Sequence, residues 1–376
     1  MNFFMLEYIQ GVIMMKILAA FDSFKESMTA YAAGEAVQRA YNNVHICPLA
    51  DGGEGTMEVM NHYLHGDIHE IEVAGPLFKT VHAKLAIVDD LAIIESAQAC
   101  GLDYLTEEEK NGTEATSYGV GEMMKYAYDH GVKRFLLTLG GSACNDGGVG
   151  LLSGMGYGFF DQFDQRIPMN ARGLETLDHI KKTRLDLSSI EVEGACDVTN
   201  PLCGKEGATY VFGPQKKVKD LEKTDQAMKH YAKIMSELVE KDDSCTHGAG
   251  AAGGMGYAIV TGLNGKLVTG FDAVSRTVHL EEAIQGADII FTGEGKMDHQ
   301  TLYGKTPIGV LRLAQKYNKP VVAFCGKCED KEVLLKAGFE DMRCINHTDE
   351  PLSVLLEKGP QYLEEEVRRY LEEKNV

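Results

Sequence analysis

The sequence has no tryptophan, only nine prolines in 376 residues, and no apolar run near the ~20 residues that a bilayer-spanning helix needs. No membrane span is therefore predicted. Positive charge is also scarce, with 37 Lys and Arg against 56 Asp and Glu, a formal net charge of -19. Such a chain lacks the basic face by which proteins displace counterions from a phosphate backbone, so nucleic acid is excluded as a general partner. A small anionic substrate stays compatible where a few cations and backbone N–H groups line one cleft. Nine cysteines, an odd number without framework spacing, predict a reducing, cytoplasmic setting and no disulfides. Residues 1–14 carry no basic segment, and Glu7 and Gln10 interrupt their apolar residues, so they are expected to form an N-terminal extension and not a signal peptide. Cys325-Gly-Lys-Cys328 has redox-motif spacing but follows the apolar run Val321 to Phe324 and lacks a second pair for zinc; packing at a strand end is the expected role.

What the chain does have is 44% hydrophobic residues and 41 glycines, interleaved with charged helical segments as in α/β proteins. Ile17 to Phe21 reads as a strand ending at Asp22-Ser23-Phe24-Lys25, with Thr29 capping a helix to about Tyr41. Val44 to Leu49 reads as a second strand ending at Asp51-Gly52-Gly53-Glu54-Gly55, followed by a helix from Thr56 to Leu64. Three extended segments between Ile68 and Ser96 leave no room for helices and predict antiparallel pairing, with a boundary near Gly75-Pro76. Strand and helix alternate again from Ala287 to Ile345, and the tail from Tyr362 is expected to be a solvated closing helix. The expected architecture is a discontinuous Rossmann-like parallel-sheet domain, residues 15–75 plus 265–376, with a mixed-sheet α/β domain, residues 76–264, inserted into it.

Six acidic residues sit at glycine-flanked strand ends: Asp22, Asp51, Glu54, Asp197, Glu294 and Asp298. One alone would read as a cap or turn residue; six in one setting point to ligand chemistry at the carboxyl edge of open sheets. Phosphoryl transfer needs backbone donors, cations, carboxylates for magnesium and a group that orients a hydroxyl, and all four types occur beside glycines here. Gly140 to Gly148 is the best phosphate cradle, the alternative being a turn whose Asn and Asp cap the next helix. Gly293 to Asp298, with Lys296, Gln300, Thr301, Gly304 and Lys305, forms a magnesium and nucleotide corner. Gly304-Lys305-Thr306 is no Walker loop, since position 299 is His299 and Pro307 follows. Gly248 to Gly253 spells GxGxxG but follows polar Lys241 to His247 and not an apolar strand. His62, His65 and His69 read as surface residues, and Met123, Met124, Met155 and Met255 as packing.

At these loops the chain resembles the bacterial type I glycerate kinases from Lys16 to about Asn346. The resemblance rests on Asp22-Ser-Phe-Lys25, Ala50-Asp-Gly-Gly-Glu-Gly55, Gly140-Gly-Ser-Ala-Cys-Asn-Asp-Gly-Gly148, Cys196-Asp-Val-Thr-Asn-Pro201, Phe212-Gly-Pro-Gln-Lys216, Gly248-Ala-Gly-Ala-Ala-Gly-Gly254 and Thr292-Gly-Glu-Gly295. Glu26 stands where the family commonly has Gly, Cys144 where it commonly has Thr, and Cys325 and Cys328 are not family features.

The resemblance implies ATP and Mg2+ as cofactors and D-glycerate as acceptor, phosphorylated at the 2-hydroxyl in glyoxylate or sugar-acid catabolism. Asp197 is then expected as the base and Lys25 or a neighbouring cation as the carboxylate partner, with Asp22, Ser23, Asp51, Gly52, Gly53 and Asn200 also at the substrate, in a cleft between domains. Gly140, Gly141, Ser142, Asn145, Asp146, Gly147, Lys216 and Lys305 are implied at the nucleotide phosphates, and Asp51, Glu294 and Asp298 at the metal. Phosphorylation at the 3-hydroxyl, another small hydroxy acid as acceptor, and a non-catalytic nucleotide sensor are the alternatives; homo-oligomerisation is left open.

Overall fold

The computed structural model describes residues 14–303, 305–347 and 350–375, with the backbone alone at Gln300 and Tyr303. Most of the expected N-terminal extension, residues 1–13, and Gly304 lie outside the described residues. The described strands are β1 (Ile17–Phe21), β2 (Val44–Ile46), β3 (Asp67–Ala74), β4 (Thr80–Val88), β5 (Leu91–Glu95), β6 (Arg134–Thr138), β7 (Gly158–Phe160), β8 (His179–Lys181), β9 (Glu191–Ala195), β10 (Lys266–Val268), β11 (Ile289–Met297), β12 (Val321–Cys328) and β13 (Asp341–Cys344). Two compact units divide the chain: residues 1–51 with 274–376, and residues 52–273.

The first unit holds an all-parallel sheet in the order β13-β12-β11-β1-β2. β1 is buried throughout, as its unbroken apolar sequence requires of a strand covered on both faces. The helix Ala30–Ala40 begins where Thr29 Oγ1 accepts the Ala32 N–H at 3.1 Å, and it buries Ala33, Ala36 and Val37. β11 runs through Gly293-Glu294-Gly295 to Met297. A Cβ on Gly293 would stand 1.8 Å from the Phe324 carbonyl oxygen, so only glycine lets β12 approach closely enough to continue the ladder. The tail departs from expectation as well. Leu363, Val367, Tyr370 and Leu371 fall on one face of the helix Gly359–Glu373 and are buried against Phe291 and Phe324. Removing each from water stabilises the unit by about 1.5–3 kcal/mol, which outweighs the solvating effect of the Glu and Arg residues between them.

The second unit holds a six-stranded mixed sheet, β10-β9-β6-β5-β4-β3. β3, β4 and β5 pair antiparallel, as their helix-free spacing predicts, while β5, β6, β9 and β10 are mutually parallel. A separate hairpin joins β7 to β8. The domain seams fall at 51/52 and 273/274, a correction to the expected 75/76 and 264/265. The cause is register: β3 pairs with β4 along its whole length and β10 pairs with β9, so both segments are bonded into the second sheet. Met123, Met124, Met155 and Met255 are fully buried in this unit's core.

Candidate active site

In the first unit, the chain leaves β1 for β2 on one side of the sheet, while β11, β12 and β13 build outward on the other. The carboxyl ends of β1 and β11 therefore flank the switch point, the crevice where open α/β sheets hold ligands. Phe21 is paired with Gly293, so the next residues, Asp22 and Glu294, emerge side by side. The Asp22 N–H donates to the Gly293 carbonyl at 3.0 Å. Its carboxylate accepts the Ser23 N–H at 2.7 Å and the Thr306 hydroxyl at 2.6 Å. Burial, followed by the negative charge of Asp51, pushes the Asp22 carboxyl up from its ordinary 3.8 to about 7.

Glu294 is also pushed up by burial, against the pull of Lys305, whose Nζ lies 3.2 Å from both carboxylate oxygens. The Thr301 hydroxyl donates to Glu294 Oε1 at 3.0 Å. Asp22, Asp51 and Glu294 thus crowd negative charge into one corner, with Lys305 at its rim. Asp298 turns elsewhere: it is buried, and its carboxylate pairs with Lys296 at 3.0 Å. Among the described residues, no group of three His, Cys, Asp or Glu side chains is arranged to enclose a metal ion. Of the expected metal set of Asp51, Glu294 and Asp298, Asp298 is paired with Lys296 and the other two face the Asp22 corner. Mg2+ commonly takes one or two carboxylates and completes its shell with water and phosphate oxygens. The mutually opposed charges of Asp22, Asp51 and Glu294 fit such a partial site. Lys25 is exposed, in a tight turn where Phe24 and Met28 bridge and Glu26 adopts φ +62°.

The second unit presents its ligand-sized loops at the carboxyl ends of its parallel strands. Asp197, just past β9, is exposed and accepts the Gly270 N–H at 3.0 Å. A Cβ on Gly52 would come within 2.6 Å of Gly270 Cα, and one on Gly140 within 3.4 Å of Gly53 Cα. Gly52, Gly53, Gly140, Asp197 and Gly270 accordingly share one corner built largely of backbone. The Asn200 amide donates to the Glu206 carbonyl at 2.7 Å and closes its own turn.

Only Gly140 and Gly141 of the expected phosphate loop are exposed. Beyond them the chain turns into the core, and Ser142, Asn145, Asp146 and Lys216 are buried. Asp146 is a cap: its carboxylate accepts the Ser117 N–H and hydroxyl, both at 2.8 Å, and the Gly148 N–H at 3.0 Å. Burial raises its pKa. Lys216, its pKa lowered by burial, donates to Ser142 Oγ at 3.0 Å and to the Cys144 carbonyl at 2.7 Å. The Asn145 amide donates to Thr209 Oγ1 at 2.9 Å, and the Gly147 N–H to the Gly253 carbonyl at 2.8 Å. Of the expected phosphate ligands, Ser142, Asn145, Asp146, Gly147 and Lys216 are enclosed and engaged internally, and they hold the loop from beneath.

The stretch from Gly248 to Gly254 is buried throughout, which rules out a dinucleotide site there. Ala252, Gly253 and Gly254 follow one another with φ of 51°, 68° and 99°, and they interlock with the loop below. A Cβ on Gly253 would meet the Cys144 oxygen at 2.1 Å, and one on Gly254 would meet Gly147 Cα at 2.6 Å.

Sequence reasoning missed Glu95 and Ser96, which end β5 between these loops. Glu95 is buried, and burial raises its pKa; it accepts the Met57 N–H at 2.8 Å and the Gly55 N–H. The Ser96 hydroxyl donates to the Gly140 carbonyl at 3.4 Å, and the Thr56 hydroxyl to the Gly53 carbonyl at 2.7 Å. The signal was present: an acidic residue directly after an apolar strand, as at Asp22. His62 and His65 lie near the end of the helix Thr56–Leu64, and His69 bonds to the Tyr126 hydroxyl at 3.0 Å.

The arrangement has close counterparts among known proteins. Residues 17–373 match the Glycerate kinase family. A glycerate kinase of Haemophilus influenzae is 40% identical over 93% of this chain and 96% of its own length. The glycerate 2-kinase of Escherichia coli K12 is 38% identical over 84% of this chain and 86% of its own. A crystal structure assigned as glycerate kinase 2 from Salmonella typhimurium LT2 superimposes with a TM-score of 0.88 at 37% identity, covering 96% of this chain and 98% of that one. With a family match over nearly its whole length and relatives at this identity, the chain belongs to the glycerate kinase family.

Proposed function

We propose that the protein transfers the γ-phosphoryl group of ATP to the 2-hydroxyl of D-glycerate, giving 2-phosphoglycerate and ADP. The observation that carries this reading is the corner at the β1/β11 switch point, where burial and the charge of Asp51 raise Asp22 and Glu294 beside Lys305. A divalent cation relieves that crowded charge, and one or two of the Asp22, Asp51 and Glu294 carboxylates would hold it, with water and phosphate oxygens completing its shell. Magnesium, when bound, neutralises charge on the transferring phosphoryl oxygens.

The remaining roles follow from residue chemistry. Lys305 supplies a cation to phosphate oxygens, and the exposed backbone at Gly140–Gly141 offers N–H donors. Lys25, with Ser23 next to Asp22, pairs with the glycerate carboxylate. Asp197, held in place by the Gly270 N–H, orients the attacking hydroxyl and takes its proton. Gly52 and Gly53 admit the substrate where a side chain would obstruct it, and Asn200 shapes the turn beyond Asp197. A place in glyoxylate or sugar-acid catabolism, in the cytoplasm, accords with this activity; no described helix is long and apolar enough to cross a membrane.

Phosphorus-31 NMR of the protein with ATP, Mg2+ and D-glycerate tests the proposal. A 2-phosphoglycerate resonance is expected. A 3-phosphoglycerate resonance would overturn the regiochemistry, and unchanged ATP would overturn the acceptor.

A further inference from the structure

The turn that carries Lys25 is tied to a helix junction 329 positions away in the sequence. Phe24 and Met28 anchor the turn: they bridge across it, the Phe24 N–H donates to the Met28 carbonyl at 2.9 Å, and both side chains are buried. Ser23, Lys25 and Glu26 around that anchor are exposed. The turn rests on β11, where a Cβ on Gly295 would stand 3.6 Å from the Lys25 nitrogen. Its Ser27 hydroxyl donates to the Leu356 carbonyl at 2.6 Å.

The sequence around Leu356 is suited to that contact. Leu356 lies in the last turn of the helix Leu352–Glu357, where carbonyls run out of partners. Four positions on, where a longer helix would supply the N–H for it, stands Pro360, which has none. Gly359 lies between: a Cβ there would stand 2.1 Å from Ser27 Oγ, so a side chain at 359 would drive the hydroxyl off its acceptor. Lys358 pairs with Glu350 at 2.9 Å, and the Tyr362 hydroxyl donates to the same carboxylate, which fixes the junction to the segment entering it.

We propose that Ser27, the Leu356 carbonyl and Gly359 form a positioning clamp that sets the Lys25 turn for the carboxylate of the acceptor. Ser27 is a positioning residue and acts through Ser23 and Lys25, on either side of the Phe24 anchor. The choice of acceptor rests on the functional reading above, whereas the clamp does not. A turn held alike in the bound complex and the transition state contributes uniform binding, so loss of the clamp raises KM for glycerate and leaves kcat in place. The KM for ATP should also stand, because Lys305 and the Gly140–Gly141 backbone belong to other elements.

Ser27→Ala, Gly359→Ala and the double variant test this in the full-length protein, by steady-state kinetics with glycerate and ATP varied separately and by hydrogen–deuterium exchange over residues 22–28 without ligands. Each single variant should raise KM for glycerate ~2- to 10-fold, the scale of one hydrogen bond, with kcat and KM for ATP unchanged. Exchange should quicken by a similar factor at the Ser27 and Met28 N–H groups, both of which donate to the Phe24 carbonyl. The double variant should match the single ones, since both substitutions remove the same bond and the methyl at 359 then meets Ser27 Cβ at 3.5 Å, an ordinary contact. Additive effects in the double variant, or unchanged exchange in Ser27→Ala, would overturn the clamp. Quickened exchange with an unchanged KM for glycerate, or with equal rises in both KM values, would overturn its tie to the acceptor. A wild type that turns over no glycerate would refute the functional reading, while the exchange result, obtained without substrate, would still decide the clamp.

Discussion

Replacing Asp22 with Asn isolates the electrostatics of the switch-point corner. The Asp22 carboxyl titrates near 7 in the folded protein and near its ordinary 3.8 once unfolded. The folded state thus holds the extra proton more tightly, and stability is lost as pH rises from the lower value through the upper one. At 1.36 kcal/mol per pKa unit the full displacement would be about 4 kcal/mol; since Asp22 is only half-buried, solvent screening reduces this to about 2 kcal/mol. An Asn side chain still accepts the Thr306 hydroxyl but carries no charge. Asp22→Asn should therefore match the wild type near pH 4, exceed it by about 2 kcal/mol above pH 8, and show a correspondingly flatter profile between. Mg2+ should narrow the gap above pH 8 by stabilising the wild type alone, and turnover should be lost in the variant throughout. Urea unfolding at several pH values, with and without Mg2+, measures all of this. Parallel profiles for the two proteins would refute the reasoning, because they would mean that Asp22 does not carry the strain of its neighbours.

Asp197→Asn should lower kcat by ~10² to 10⁴ with the fold intact by circular dichroism, and near-normal turnover would remove Asp197 as the base. Glu95→Gln loses one of two acceptors for the Gly55 and Met57 N–H groups, so it should reduce kcat/KM by about tenfold in steady-state assays. Asp146→Asn, at a cap enclosed in the core, should instead destabilise by about 1–3 kcal/mol in urea while leaving KM in place. Glu26→Gly relieves a positive φ in an exposed turn and should raise stability by about 0.5–1 kcal/mol; a loss measured in urea would show that Glu26 makes a compensating contact.

Asp22, Asp51 and Glu294 were legible because each follows an apolar run, and in a parallel sheet the run's end is the ligand edge. Asp146 and Lys216 were not. An Asp beside two glycines reads alike whether it caps a helix or meets a phosphate, and only the enclosure supplied by residues over a hundred positions away decides between them. The domain seam was displaced for a similar reason. The helix Thr56–Leu64 continues the strand-helix grammar of the first unit, yet its first turn is bonded to Glu95 of the second. The tail helix was underestimated because composition weighs its seven charged side chains from Tyr362 to Glu373, whereas packing depends on where the four apolar ones fall around the axis.

The left-handed run at 252–254 fits against the backbone of Cys144, Asn145 and Gly147 with no room for a methyl group on Gly253 or Gly254. Neither segment can vary alone, so a library of substitutions would find 147, 148, 253 and 254 as intolerant as any residue at the chemistry. Invariance in such a library would measure interlocking backbone and not contact with substrate. A catalytic map drawn from tolerance data for this fold needs solvent exposure as a second axis before its strongest stripe is assigned to the reaction.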